Sequence, residues 1–388
     1  MKHRIVVLGA GYAGTNAAGR LARRLHPDDV EITLVNADDD FVERIRLHQL
    51  ATGQAMRHRP LADALAGTAV RLRTARVTAV DTELRTVRLT DGEINYDTLV
   101  YALGSTAARV TGPAHHVASR PAAERLSARL RELTAGSTVL VVGGGLTGIE
   151  ATTEIAEARP DLHVALAVRG GLGDWLSDKA RRHLRRAVTR LAITVHEHTD
   201  VERADETGAL TTTGERIPAD VTVWTAGFAT HPIAAETSLR VAATGQIVVD
   251  ATMRSVSHPE VYAVGDAALA EGPGGKPLRM SCASGGPMAW QAADAIAARL
   301  TGRRVPHVPI RYYAQCISLG RHDGIIQMVT ADDRAKPSAV VGGPAARVKE
   351  LICAGAAWGI YHPTVMLPTR RRRLAEPVQA SAQAPSSF

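Results

Sequence analysis

A glycine pattern that occurs twice constrains this chain more than any other feature. Gly9, Gly11 and Gly14 stand as G-x-G-x-x-G in "IVVLGAGYAGTNAAGRL", directly after an apolar run. Gly143, Gly145 and Gly148 repeat the spacing in "VLVVGGGLTGIEATTEIAE". Each copy predicts a buried strand, a tight turn and a helix whose N-terminus faces an anion such as a pyrophosphate. The residues between the glycines, Ala10 and Ala13 in the first copy and Leu146 in the second, belong to the same predicted cradles.

Both copies sit in longer units that resemble each other. "VEITLVNADDD" supplies a second strand after the first turn, and "HVALAVRGG" does so after the second. A hairpin region follows each, marked in the first unit by Asp91-Gly92. An apolar strand then ends at Gly104 in one unit and at Gly227 in the other. "VYAVGDAA", carrying Gly265 and Asp266, fits the first unit better than the second. The expected fold is therefore α/β: two Rossmann-like, three-layer (ββα) dinucleotide-binding domains, the second inserted in the first, plus a C-terminal α+β region. The boundaries read as 1–112 with 241–309, then 113–240, then 310–375, with a disordered tail over 376–388.

Composition narrows the function classes. Apolar residues at 45% and charged residues at 22% fit an ordinary globular chain. A formal charge of +7 favours anionic partners, but aromatics at 4% give nucleic-acid binding no support beyond charge. Much of the surplus lies in short Arg runs, such as Arg181-Arg182, Arg185-Arg186 and residues 370–373, which also read as solvated helix faces and a solvated tail. Cys282, Cys316 and Cys353 are scattered, which excludes a C-x-x-C redox pair or zinc site and points to a reducing compartment. No metal centre is expected. "MKHRIVVLGAG" enters its first strand at once and predicts no signal peptide, and no apolar run is long enough to span a bilayer. The expected location is cytoplasmic.

Several residues carry candidate chemistry. The residue closing the second strand of the first unit, usually an acid that binds ribose hydroxyls, is Asn36, with Asp38 nearby as a substitute. In the second unit that position falls at Val168-Arg169. An arginine there can hold a 2′-phosphate, which leans towards NADP, while Gly148 leans back towards NAD, so the choice stays open. Glu150, just inside the second helix, reads either as a carboxylate stabilising a helix N-terminus or as a group beside nicotinamide and flavin. Asp266 either caps the following helix or reaches the hydroxyls of a flavin tail.

The motifs GAGYAG, GGGLTGIE, "TAGFATHP" and "VYAVGDAA", in that order, resemble the pyridine-nucleotide–disulfide oxidoreductase fold superfamily over about residues 1 to 360. Lacking a redox disulfide, the chain is most similar to its type II NADH dehydrogenases and relatives of apoptosis-inducing factor. The resemblance implies FAD on the first domain and NADH or NADPH on the second. It places Gly9, Gly11 and Gly14 at the FAD pyrophosphate, Asn36 at the adenosine ribose, Val77 at the adenine and Asp266 at the ribityl chain. Gly104 and Gly227 would end the two strands that cross between domains, Arg44 and His48 would lie near the flavin, and Glu150 beside the nicotinamide. His48 reads equally as a buried core histidine.

The implied activity is FAD-dependent transfer of electrons from NAD(P)H to a small acceptor such as a quinone. Two departures keep other readings open. "MSCASGGPMAWQAADAIA" retains Gln291 but has Gly285-Gly286-Pro287 where the quinone-site motif carries its first Gln. That admits an organic substrate instead, or a redox-sensing flavoprotein acting through partner or membrane. The segment "AGAAWGIYHPTVMLPTRRRR" suits peripheral contact with the inner face of a membrane, although Pro363 and Pro368 interrupt any single helix. A homodimer is compatible with all of these readings.

Overall fold

The structure is a computed structural model describing residues 1–108, 112–362 and 370–375. The first glycine pattern opens a five-stranded parallel sheet in the order Val261–Ala263, Thr98–Tyr101, His3–Leu8, Val30–Asn36, Val70–Thr74. Ile5, Val7 and Leu8 are fully buried, as strands covered on both faces require. Three helices belong to this part: α1 (Tyr12–Arg24), α2 (Leu47–Ala51) and α3 (Leu61–Leu65). The Asp91-Gly92 hairpin forms as read, joining Thr86–Leu89 to Gly92–Asn95 in an antiparallel sheet with Val77–Asp81.

The chain leaves this domain through Ser105–Ala107 and builds a second sheet from the second glycine pattern. Its parallel order is Thr194–His196, His163–Ala167, Thr138–Val142, Val221–Trp224. Around it lie α4 (Arg120–Glu132), α5 (Leu146–Ala158) and α6 (Asp178–Arg190), with an antiparallel layer of Val201–Asp205, Gly208–Thr211 and Arg216–Pro218. The chain returns through Phe228–Thr230, which pairs antiparallel with Ser105–Ala107. Val261–Ala263 then adds to the edge of the first sheet, so the second unit is an insertion in the first.

Helix α7 (Cys282–Leu300) packs along α1. Ala17 and Ala18 of α1 and Ala289, Ala292 and Ala293 of α7 are all fully buried, and short side chains let the two helices approach closely. Asp294 of α7 pins the pair: Arg20 donates to it from Nε (2.9 Å) and Nη2 (2.6 Å), and Arg24 lies 3.0 Å away. The last region is an antiparallel sheet of Ala314–Ser318, Gly324–Val329 and Ala335–Val341, followed by α8 (Gly343–Tyr361). It spans both domains, since α8 packs on α1 while α6 packs on the sheet. His183 and Arg190 of α6 fix that second contact by binding Asp323, each at 2.6 Å.

The basic cluster at residues 370–373 is partly folded back. The Arg372 amide donates to Arg24 O (2.9 Å), and Arg373 binds Asp28 (3.0 Å) and Asp29 (2.8 Å). That leaves Arg370 and Arg371 for the surface role expected of this segment. Pro363, Pro368 and the 376–388 tail lie outside the described residues. No helix among the described residues is long and apolar enough to cross a membrane.

Candidate functional site

The two glycine turns have nearly the same geometry. Gly9 and Gly143 have φ of +93° and +118°, in the region that side chains disfavour. A Cβ on Gly14 would lie 1.8 Å from Gly9 O, and one on Gly148 would lie 1.8 Å from Gly143 O. Those two glycines therefore press helix against strand. Around Gly11 and Gly145, by contrast, a Cβ would meet nothing within 4 Å. Each is the N-cap of a helix with no side-chain cap and no acid in its first turn. Uncapped N–H groups facing open space fit a dinucleotide pyrophosphate, so both turns suit the cofactors expected of them.

The turns differ at the strand that closes each. Asn36 Oδ1 accepts the Ala10 amide (3.0 Å) and its Nδ2 donates to Asp38 O (2.8 Å), so this side chain locks the first turn. At the equivalent place Val168 is buried against Gly144, where a Cβ would come 2.5 Å from Val168 Cγ1. Arg169 points outward, 81% exposed, with Nε 3.1 Å from Asp200 Oδ1. No bond of either terminal nitrogen is recorded among the described residues.

A second group joins three separated segments beside the first turn. Arg44 donates through Nη1 to Ser105 O (2.7 Å), and Ser105 Oγ donates to Asp266 Oδ2 (2.6 Å). Burial lowers the Arg44 pKa while the nearby Asp266 carboxylate opposes that shift. Gly104 lies against Arg44 and Gly265 against Ala13. Gly227 O accepts the Ala108 amide (3.4 Å) where the chain returns. Val77 opens its strand, nearly buried. Ser105 is the residue that sequence reading missed; its place beside Gly104 was the available signal.

Glu150 sits where α5 meets α2, the C-terminal sheet and α8. Its Oε1 accepts the Ser318 amide (3.1 Å) and is bonded to Lys349 Nζ. His48 Nδ1 lies 3.9 Å from its Oε2. Glu150 is therefore not a surface carboxylate at a helix end; its partners come from elements distant in sequence. Burial pulls the Lys349 ammonium down to about 8, while the Glu150 carboxylate against it favours the charged form. His48 is 4% exposed, and its Nε2 has no partner. Burial, then the charges of Lys349, Arg321 and Arg46, hold its pKa well below 6.5 and keep the ring neutral. An unpaired, buried ring nitrogen suits a hydrogen bond to a bound ring system. Lys349 and Ser318 escaped sequence reading, because nothing in "ARVKELICAGAAWGI" marks the lysine as facing inward.

Gln291 is not turned to a ligand. Its Nε2 donates to Pro306 O (2.5 Å) and its Oε1 accepts the Val308 amide (3.2 Å), which fixes the loop after α7. The three cysteines are free thiols, and no group of metal-ligating side chains occurs among the described residues.

The family model described as pyridine nucleotide-disulphide oxidoreductase matches residues 3–297. An NADH dehydrogenase-like protein of Mycobacterium tuberculosis is 29% identical over 348 residues, covering 82% of this chain and 86% of that one. A type II NADH:quinone oxidoreductase of Staphylococcus haemolyticus is 24% identical over 399 residues, covering 92% and 96%. In fold, the chain is similar to the sulfide:quinone oxidoreductase of Aquifex aeolicus, with a TM-score of 0.77 at 18% identity, covering 93% of this chain and 92% of that one.

Proposed function

The chain belongs to the pyridine nucleotide-disulphide oxidoreductase family, and from that premise we propose that it is an FAD-dependent NAD(P)H oxidoreductase with a small, quinone-like acceptor. The observation that carries this reading is the pair of uncapped, equally shaped turns, with half-buried Glu150 close by on α5. The names of the two sequence relatives support the donor and the acceptor class.

In this reading the first turn, with Ala10, Ala13, Asn36, Arg44, Val77, Gly104, Gly265 and Asp266, holds FAD. The second turn, with Leu146, Arg169 and Gly227, holds NAD(P)H. FAD, when bound, supplies hydride acceptance and electron delivery, which no side chain here can offer. The side chains bind, orient and manage protons. Glu150, fixed by Ser318 and Lys349, orients the carboxamide of the nicotinamide. Neutral His48 gives or takes one hydrogen bond at Nε2 without adding charge. Lys349, paired with Glu150, holds that carboxylate in place by charge.

The commitment of Gln291 to backbone favours a second reading, in which the acceptor is an organic substrate rather than a membrane quinone. Anaerobic mixing with NADH or NADPH tests the main proposal. The purified protein should be yellow and should bleach within the mixing experiment. A colourless protein, or a flavin that stays oxidised, would overturn it. Steady-state turnover with a soluble benzoquinone separates the two acceptor classes.

A further inference from the structure

A cavity of about 320 Å³ opens between α2, the Ser318–Asp323 turn and the first turns of α8. Lys349 and Cys353 line it from α8, Ser318 from the sheet and Gln49 from α2. Two of these, Lys349 and Ser318, are the residues that hold Glu150. The cavity therefore borders the side chains that hold Glu150, the group assigned above to the nicotinamide, without being lined by Glu150 itself.

Sorting its charges gives a clear sign. The acids in the lining are neutralised from outside it. Arg46 binds Glu350 through both terminal nitrogens (2.8 and 2.6 Å). Asp323 is held by His183 and Arg190 at 2.6 Å each. Lys349 is matched by Glu150. Arg321 and Arg347 also line the cavity, are exposed, and form no side-chain ion pair among the described residues, while the Glu157 carboxylate accepts the Arg321 amide and the Arg321 charge lowers the pKa of Glu350. The N-terminus of α8 faces the same space through Gly343 and Ala346, with no acid in its first turn. Arg321 is also close enough to depress the pKa of His48, so its field reaches the site interior.

Resting on the oxidoreductase reading, we infer that this cavity admits the electron acceptor, and that the acceptor is a small aromatic ring system bearing a carboxylate or sulfonate. The volume suits one or two fused rings. The two free guanidiniums would take the anionic group at the mouth, in the planar, bidentate manner arginine favours.

The test compares 1,4-naphthoquinone-2-sulfonate with the uncharged 2-methyl-1,4-naphthoquinone on wild type and on the Arg321→Ala/Arg347→Ala double variant. Both arginines are exposed, and only the backbone amide of Arg321 is bonded, so the substitutions leave the fold its contacts. The expected result is a rise of about tenfold in the KM of the sulfonate, with less than a twofold change for the uncharged ring. Binding of the sulfonate to oxidised protein, followed by flavin fluorescence without nicotinamide, should weaken in parallel. High salt should weaken the wild-type preference and have little effect on the variant. Arg203→Ala, an exposed arginine on the Val201–Asp205 strand, which contributes nothing to the cavity lining, serves as the control. Equal changes for both acceptors would overturn the inference, and so would a defect in NAD(P)H binding instead. Failure of the wild-type flavin to bleach would overturn the oxidoreductase reading itself.

Discussion

The first and second glycine turns share a backbone but not a surrounding. The first is closed over: α7 and α8 pack on α1, Asn36 spans the turn, and the Tyr12 hydroxyl is buried without a partner. The second is open on its ribose side, where Arg169 projects into solvent. Five residues beyond the N-cap, α1 carries Asn16 bonded to the Tyr12 carbonyl, whereas α5 carries Glu150 in a buried ion pair. Under the proposed function one motif serves a resident dinucleotide and a visiting one, the difference being set by what packs around it.

The sharpest way to break this comparison is to block each turn without disturbing the fold. Gly11 and Gly145 have open space at Cβ, so valine should be tolerated at either position. Gly11→Val is expected to purify colourless. Gly145→Val should stay yellow, with flavin reduction slowed by about a hundredfold or more in stopped flow. Loss of flavin from both variants would erase the proposed difference between resident and visitor.

The ion pair comes next. Lys349→Met leaves the half-buried Glu150 carboxylate without its cation, and a loss of about 2 kcal/mol is expected from urea unfolding. Adding Glu150→Gln should restore part of that loss, and the double-mutant cycle measures the coupling.

His48 gives a smaller, pH-dependent effect. Its folded pKa is lowered, so below about pH 6.5 the unfolded chain binds a proton that the folded chain refuses. Stability should therefore fall as the pH drops from 7 to 5, with a contribution from this ring of at most about 1.4 kcal/mol per pH unit. Urea midpoints of His48→Asn should decline less over that range than those of wild type. The mildest expected effect is at the open ribose side. Arg169→Ser should lower the ratio of kcat/KM for NADPH over NADH about fivefold, through loss of the exposed fork.

What could be read from the sequence follows from how local the physics is. Glycine spacing, apolar strands and the Asp91-Gly92 turn are set by neighbours in the chain, and the sheets and hairpin formed where they were expected. The return of Val261–Ala263 to the first sheet was legible because its motif had no slot in the second unit. Glu150 and His48 were each singled out as candidates through the resemblance, but not as the neighbours, 3.9 Å apart, that they are. Its partners were not: Lys349 lies 199 residues away, on a helix whose burial pattern depends on which sheet it meets. Ser105 joins Arg44 to Asp266 across 61 and 161 residues, a contact that no local pattern encodes. Gln291 was read as the survivor of a binding motif, yet it braces a loop.

The short ribbon between Ser105–Ala107 and Phe228–Thr230 makes the inserted unit portable. Its entry and exit are hydrogen-bonded neighbours, with Ala107 opposite Phe228. Among the described residues, no strand of the first sheet lies between residues 108 and 227. A tight turn joining 107 to 228 would therefore excise the unit and leave every strand of that sheet in register. Closing so long a loop costs only slightly more than closing a short one, because the entropy grows with the logarithm of length. The same ribbon sets only where the unit leaves and re-enters, while its docking is set elsewhere, by α2 against α4 and α5 and by α6 on the C-terminal sheet.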